Sequence, residues 1–356
     1  MIQYPPSFLM KWAYLYMWPS LKKPAGFKGE PLSWKSTKSY DSKIRLVFFG
    51  DYMVMKTGQA PEVDSKLQEV FKRADLVLGN CEFPVFDDTK SMKTFFVFRG
   101  NRKFVKSLLE SLSADPKKTV FTLANNHMGD QGPVGLEKSI ETLDSLGVRS
   151  VGWYQGDRRS QNPVSTLNVG GHEIGIAAWT HWLNKDVFND QIGVWRTEDI
   201  LIPISSSTDF TIGFPHWEYE FTHYPETKTQ KIAEEFLKSK FQLIVGHHSH
   251  VLQPIQKFGN KFCFYGLGNL NGPCFPVVGW PLLLGGILEM EIGFSAGAAP
   301  EVCRYQIHPF VQEKKKGGSL KLCALNEATE KKYFDRLNHV FEPKYEALIK
   351  KLDMSR

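Results

Sequence analysis

Five apolar runs in this chain end the same way, in a small residue or a short turn followed by carboxylate, carboxamide or imidazole side chains. Gly50-Asp51 closes the first and Gly79-Asn80-Cys81-Glu82 the second. Asn125-Asn126-His127 closes the third, His216 the fourth, and Gly246-His247-His248-Ser249-His250 the fifth. Such groups gain nothing from apolar burial and need hydrogen-bond partners, a metal ion or a ligand. A chain that repeats this ending is bound to bring its polar residues to one edge of a sheet.

The segments between the runs carry helical periodicity. Strand signals at 44–50, 75–80, 120–125, 173–180, 209–217 and 241–246 alternate with amphipathic helix patterns at 63–74, 102–112, 134–147 and 229–239. From Val251 to Phe310 the pattern changes to hairpin-like strands, and a helical tail with a break at Pro343 follows. Strand–helix alternation followed by antiparallel hairpins predicts an α/β fold of mixed sheets. In open α/β sheets ligands gather beyond the carboxyl ends of the strands, where all five polar clusters fall.

Composition narrows the class. The chain has 356 residues, 42% hydrophobic and 23% charged, which is ordinary for a globular protein. The net charge of +6 is spread along the sequence, without a basic stripe interleaved with aromatics, so nucleic acid is not an expected partner. Five cysteines (Cys81, Cys263, Cys274, Cys303, Cys323) without CxxC spacing argue against a disulfide framework or zinc knuckle. The apolar start MIQYPPSFLMKWAYLYMWPS holds two early prolines and Lys11 and lacks a small-residue cleavage site, so it does not read as a signal peptide, and the expected location is cytoplasmic. It reads as an aromatic arm packed on the domain, with interfacial membrane contact through Trp12, Tyr14, Tyr16 and Trp18 as the alternative. The stretch from Phe275 to Ile292 is broken by Pro276, Pro281 and glycines and reads as buried strands rather than a membrane span. The expected organisation is an arm and connector over 1–42, the main domain over 43–312, and a helical extension packed on it over 313–356.

Imidazole and carboxylate without a thiolate cage suit one or two divalent ions of the Zn, Mn or Fe type. His248 and His250, two apart in an extended segment, would face one centre, with His247 turned away as a second-layer or structural residue. Asn126 offers a neutral carboxamide ligand, and His127 can protonate a leaving group. Asp130 either orients His127 or caps the helix that starts near Pro133. Arg99 is either an anion contact or a surface ion pair, and Asn125, Glu220 and His247 are further candidate substrate contacts.

Several stretches together resemble the CapA family of bacterial capsule-synthesis proteins, within the calcineurin-like metallophosphoesterase superfamily: FFGDYM (48–53), ADLVLGNCEFP (74–84), FRGN (98–101), LANNHMGDQG (123–132), HWEYEF (216–221), VGHHSHVLQPIQ (245–256) and FYGLGN (264–269). The resemblance implies a bacterial source and a four-layer αββα sandwich of two mixed sheets around a two-metal centre. Asp51 would match the first Asp of the family's Asp-x-His motif, and Asn80 or Glu82 its bridging carboxylate. Asn126, His216, His248 and His250 would match the remaining ligands and His127 the general acid. The sequence departs from the pattern at Met53 in place of His, at Asn-x-Glu in place of the bridging Asp, and at Glu218 in place of Gly, while Glu220 matches the family's glutamate. The family is often membrane-anchored, and this chain has no clear anchor pattern.

The expected function is a metal-dependent hydrolase acting through metal-activated water on a phosphoester or a γ-glutamyl amide in an acidic small molecule or polymer. The alternative is a capsule or poly-γ-glutamate component that binds an acidic polymer without chemistry.

Overall fold

A computed structural model of the chain describes residues 4–55, 58–88, 97–201, 207–239, 241–272, 277–315 and 318–341. The helix α1 (Pro6–Met17) comes first, followed by β1 (Ser33–Lys35), β2 (Ser42–Tyr52), β3 (Glu62–Val63), α2 (Ser65–Lys72), β4 (Leu76–Cys81) and α3 (Arg102–Leu112). Next are β5 (Thr119–Thr122), α4 (Gly132–Ser145), β6 (Arg149–Val151), β7 (Trp153–Gln155), β8 (Val164–Val169) and β9 (His172–Thr180). The chain continues through β10 (Ile192–Val194), α5 (Thr197–Leu201), β11 (Phe210–His216), α6 (Thr227–Ser239) and β12 (Leu243–Val245). It closes with β13 (Ile255–Phe258), β14 (Lys261–Phe264), β15 (Leu284–Ser295), β16 (Ala298–Lys314), β17 (Leu320–Ala324) and α7 (Lys331–Val340).

One sheet has nine strands, ordered β3-β17-β16-β15-β2-β4-β5-β6 with β1 paired onto β16. A second has six, ordered β13-β14-β12-β11-β9-β8, and β10 pairs with β7 in a separate two-stranded sheet. The two larger sheets are mixed. β2, β4, β5 and β6 run parallel while β15 pairs antiparallel with β2. β9, β11, β12 and β14 run parallel with antiparallel edges at β8 and β13.

Period-two alternation explains the stacking. In β2, Phe48 meets Phe214 of the second sheet with ring centres 6.0 Å apart, whereas Phe49 points the other way to Phe71 of α2 at 6.2 Å. Gly79 is required there, because a Cβ at that position would lie 2.0 Å from the Phe49 ring. Leu67, Val70, Phe71, Phe104, Leu108, Leu136 and Leu143 cover the outer face of the nine-stranded sheet, and Ala233, Phe236 and Leu237 of α6 cover the other. The result is the expected αββα sandwich. α2 starts at its Asp64 N-cap and α3 at Asn101, each accepting a backbone N–H of the first turn.

The ends of the chain are more integrated than the sequence suggests. Segment 1–42 contributes β1 to the large sheet, and segment 313–356, expected to be helical, first adds β17 beside β16. Pro343, Cys274, Phe275 and Pro276 lie outside the described residues. Leu284–Ser295 is the buried strand anticipated for the Pro-interrupted stretch, preceded by a 3-10 turn over Trp280–Leu283. Cys81, Cys263 and Cys303 are free and buried. No helix among the described residues is long and apolar enough to cross a membrane. On α1, Trp12 and Tyr16 face the domain while Met10, Tyr14 and Trp18 face outward.

His223 ties three distant segments together. Its N–H bonds the Ser20 carbonyl, its Nδ1–H donates to the Leu252 carbonyl at 2.8 Å, and its Nε2 accepts from Arg336 of α7. Burial first, then the charges of Arg336 and His339, hold this imidazole down at about 3 against an ordinary 6.5. Because the folded value is the lower one, the stability it confers is complete above pH 6.5 and is lost as pH falls toward 3. The expected loss through this residue is about 2 kcal/mol at pH 5. His223→Gln, which can keep both hydrogen bonds without titrating, should flatten the acid limb of a melting-temperature profile between pH 7 and about 5. Identical acid limbs for the two proteins would contradict this role.

Candidate metal centre

The polar strand ends converge because parallel strands of both sheets finish at one edge of the sandwich. A register shift between Phe49 and Asp51 sets Asp51 beside Asn80 of β4. The shift depends on Gly50: a Cβ there would sit 1.8 Å from the Gly268 carbonyl oxygen, so only glycine lets the two backbones pass. The Asn80 amide then donates to Asp51 Oδ1 at 2.7 Å and lies 3.2 Å from His216 Nδ1.

Glu82 lies at the centre of the cluster. Its side chain is fully buried and neither carboxylate oxygen has a hydrogen-bond partner. His216 Nε2 and His250 Nε2 each lie 3.7 Å from Glu82 Oε1. Three overlapping sets bring their ligand atoms within 4.8 Å of one another: Glu82-His216-His248, Asp51-Glu82-His250 and Glu220-His248-His250. An unpaired buried carboxylate costs several kcal/mol, and a divalent cation would satisfy it. The donor set of imidazole and carboxylate fits Zn, Mn or Fe. Amide side chains flank two of the imidazoles: both His216 nitrogens lie against Asn80 and Asn126. His250 Nδ1 is 2.8 Å from Asn269 Oδ1, which leaves Nε2 toward Glu82 and Glu220, and His248 Nδ1 is buried without a partner.

The electrostatics agree with a ligand role. Burial above all, and then the neighbouring imidazoles, hold His216 well below its ordinary value and keep it neutral, the form that binds metal. Burial likewise holds His248 down at about 3. Burial pushes the Glu82 carboxyl up. His250 behaves oppositely: burial works against its charge, but Glu82, Asp51 and Glu220 outweigh it and hold the imidazole protonated. A proton there balances carboxylates that a metal would otherwise neutralise.

Beside this cluster, His127 Nδ1 lies 2.8 Å from Asp130 Oδ2, which also accepts the Phe98 N–H at 2.7 Å. Asp130 thus bonds His127 and is not the N-cap of α4; that position is Gln131, whose side chain makes no capping bond and donates to the Phe98 carbonyl instead. The Phe98 ring stacks on the imidazole with centres 3.9 Å apart. Asn184 places its amide 3.3 Å from His127 Nε2, and Lys185 Nζ bonds the Asp130 carbonyl at 3.1 Å.

Not every sequence candidate reaches the cluster. Asn126 does, with Oδ1 3.1 Å from His216 Nε2. Asn125 is a strut: its amide donates to Asn80 Oδ1 and the Cys81 carbonyl, and its oxygen accepts the His127 N–H. His247 faces the core, edge-on to Phe214, with Nε2 3.3 Å from the Phe49 carbonyl. Arg99 is paired with Asp88 at 2.7 Å and lies over the Phe86 ring. Glu218 accepts the Glu226 N–H ahead of α6 and adds no carboxylate to the centre. His248 and His250 converge for a different reason than strand alternation. β12 ends at Val245, and both histidines take left-handed backbone conformations, with φ of 95° and 56°. Glu218 and Phe221 are also left-handed, so strain is concentrated in the two loops around the site. The sequence reading missed Asn184 and Asn269, and it took Glu220 as a substrate contact rather than a ligand candidate. Asn269 stood in a quoted motif and could have been found there, whereas Asn184 carried no local signal.

The chain is thus a mixed-sheet αββα sandwich with an imidazole–carboxylate cluster at the strand ends whose residues could hold a metal ion. The family model described as bacterial capsule synthesis protein PGA_cap matches residues 45–272, and the chain belongs to that family. It is 29% identical over 251 residues to the PGA biosynthesis protein CapA of Bacillus subtilis, covering 65% of this chain and 64% of that protein. It is 28% identical over 256 residues to the capsule biosynthesis protein CapA of Bacillus anthracis, covering 64% and 60%. The matched part thus spans less than two thirds of these relatives. Among solved structures, a putative 5'-nucleotidase from Staphylococcus aureus in complex with alpha-ketoglutarate is 14% identical with a TM-score of 0.47, over 83% of this chain and 58% of that one. A phosphatase from Mycoplasma pneumoniae is 12% identical with a TM-score of 0.41, over 76% and 94%. Both scores are low, and the fold rests on this chain's own sheets.

Two variants test the cluster. His248→Ala should lower metal content at least tenfold in protein purified without chelator. Glu82→Gln should also lose metal, because it removes the carboxylate that two of the three ligand sets share. Unchanged metal content in both variants would remove the assignment.

Proposed function

We propose that this protein is a metal-dependent hydrolase acting on a phosphoester or a γ-glutamyl amide within an acidic substrate. The observation that carries the reading is the buried Glu82 carboxylate, without a hydrogen bond, among three imidazoles beside the His127–Asp130 pair. Glu82, His216 and His248 would hold one cation, and Asp51, Glu82 and His250 a second, with Asn80 and Asn126 against His216. A bound divalent ion supplies Lewis acidity at a phosphoryl or carbonyl oxygen and lowers the pKa of water toward neutrality.

The chain's own residues supply the rest. Asp130 accepts from His127 Nδ1–H, so Nε2 is the atom that gives a proton to the departing oxygen or nitrogen. Phe98 stacked on the ring and Asn184 at its edge limit its rotation, and Lys185 places a cation at the same rim for an anionic substrate. The names of the relatives, capsule and PGA biosynthesis proteins, favour an acidic polymer or a fragment of one as the substrate. A second reading, polymer binding without chemistry, draws on Asn80, an amide where the family has a carboxylate.

The roles of ligand and acid separate experimentally. His127→Ala should keep its metal and lose roughly a hundredfold or more in turnover of esters with poor leaving groups, and much less with good ones. His216→Ala should lose metal and activity toward both. Equal losses for good and poor leaving groups in His127→Ala would remove the general-acid role. Inactivity of the metal-loaded wild type toward phosphoester and γ-glutamyl substrates would favour the binding reading.

A further inference from the structure

The N-terminal helix lies across the metal centre, although it falls outside the segment that matches the family. Tyr4, just ahead of α1, is 7% exposed, and its hydroxyl lies 2.6 Å from His248 Nε2. Eight residues further on, Trp12 Nε1–H donates to Glu220 Oε2. These contacts join residues 244 and 208 positions apart, and each ends on a member of the ligand cluster.

The contacts leave one free atom on each ligand for a cation. His248 Nδ1 is buried and unpartnered while Nε2 is engaged by the Tyr4 hydroxyl, which leaves Nδ1 as the nitrogen open to a cation. Glu220 Oε1 faces His250 Nε2 at 3.6 Å while its other oxygen is held by the indole. Metal-binding imidazoles almost always have their second nitrogen fixed in this way, and the outer partner sets both tautomer and orientation.

The packing of the arm reinforces the arrangement. Tyr4 sits edge-on to Phe8 and Trp182 at 5.0 and 4.9 Å, and Phe8 stacks on Tyr219 at 4.5 Å. Trp12 and Tyr16 both meet Phe221 edge-on, at 5.3 and 5.4 Å. Tyr16, Phe221, Val251 and Leu282 form a separate small core, so one apolar cluster joins the arm to the Glu220 loop and to the residue after His250. The chain also binds the same loop through its backbone, Ser20 N–H to the Phe221 carbonyl at 2.8 Å.

We infer that Tyr4 and Trp12 are positioning residues of the metal centre, the Tyr4 hydroxyl holding His248 and the Trp12 indole holding Glu220 in the geometry that binds the cation. The inference rests on the metal reading proposed above. It makes the arm a clasp on the centre, so that metal affinity depends on residues far from the sequence motifs.

The test measures Mn²⁺ and Zn²⁺ affinity of the full chain by chelator competition, together with the visible spectrum of the Co²⁺-loaded protein and the metal-free melting temperature. Tyr4→Phe deletes only the hydroxyl, and Trp12→Phe removes the indole N–H while keeping a smaller aromatic ring in the packing site. Each should weaken metal binding about tenfold or more and alter the Co²⁺ spectrum, while the metal-free protein still melts cooperatively as a folded chain. Tyr14→Phe, on the outward face of the same helix, should change neither. Wild-type protein that binds metal with both inward variants matching it in affinity and spectrum would overturn the clasp alone. Wild-type protein that binds neither ion would overturn the metal centre and the clasp with it.

Discussion

A carboxylate with no hydrogen-bond partner, enclosed at the junction of two sheets, is the interaction on which the site depends. Glu82 sits at the end of β4 with both oxygens unpaired, and every neighbouring ligand candidate is arranged around it. A buried charge of this kind is tolerated only when something of opposite sign completes it. Protonated His250 does so in part, held charged by Glu82, Asp51 and Glu220 against the pull of burial. A divalent cation would do so fully, with His216 and His248 already neutral and ready to bind.

The rest of the sandwich serves that convergence. Parallel strands in each sheet end at the same edge, the Gly50 crossing sets Asp51 against Asn80, and the left-handed turns at His248 and His250 fold the fifth cluster inward. A second layer then fixes the first: Asn125 under Asn80, Asn269 on His250, Asp130 on His127. Where polar residues in this region do not face the centre, they have structural partners, as His247 does in the core and Glu218 ahead of α6.

Much of this was legible in the sequence because the fold and the site follow from local patterns. Period-two runs, 3.6-residue periodicity and polar strand ends are short-range signals, and they suffice to predict an α/β fold of mixed sheets and the edge where the site lies, while the four-layer sandwich came from the family resemblance. Three things were less legible, each for a physical reason. The approach of His248 and His250 depends on backbone conformations that L-residues seldom adopt, so strand alternation gives the right neighbours through the wrong geometry. Asn125, His247 and Arg99 have the right chemistry, but the amide, the imidazole and the guanidinium are engaged by backbone, core and Asp88. Tyr4, Trp12 and Asn184 reach the site across long stretches of chain, and no local pattern records such contacts.

The central claim, that Glu82 is the shared ligand of a metal centre, is tested most directly by anomalous X-ray diffraction from crystals grown with Mn²⁺ or Zn²⁺, recorded at the metal's absorption edge. The account expects a peak between Glu82, His216 and His248, at about 2.0–2.3 Å from a Glu82 oxygen and a ring nitrogen of each histidine. A crystal grown with either ion that shows no anomalous density there, with both Glu82 oxygens bonded only to water, would contradict it.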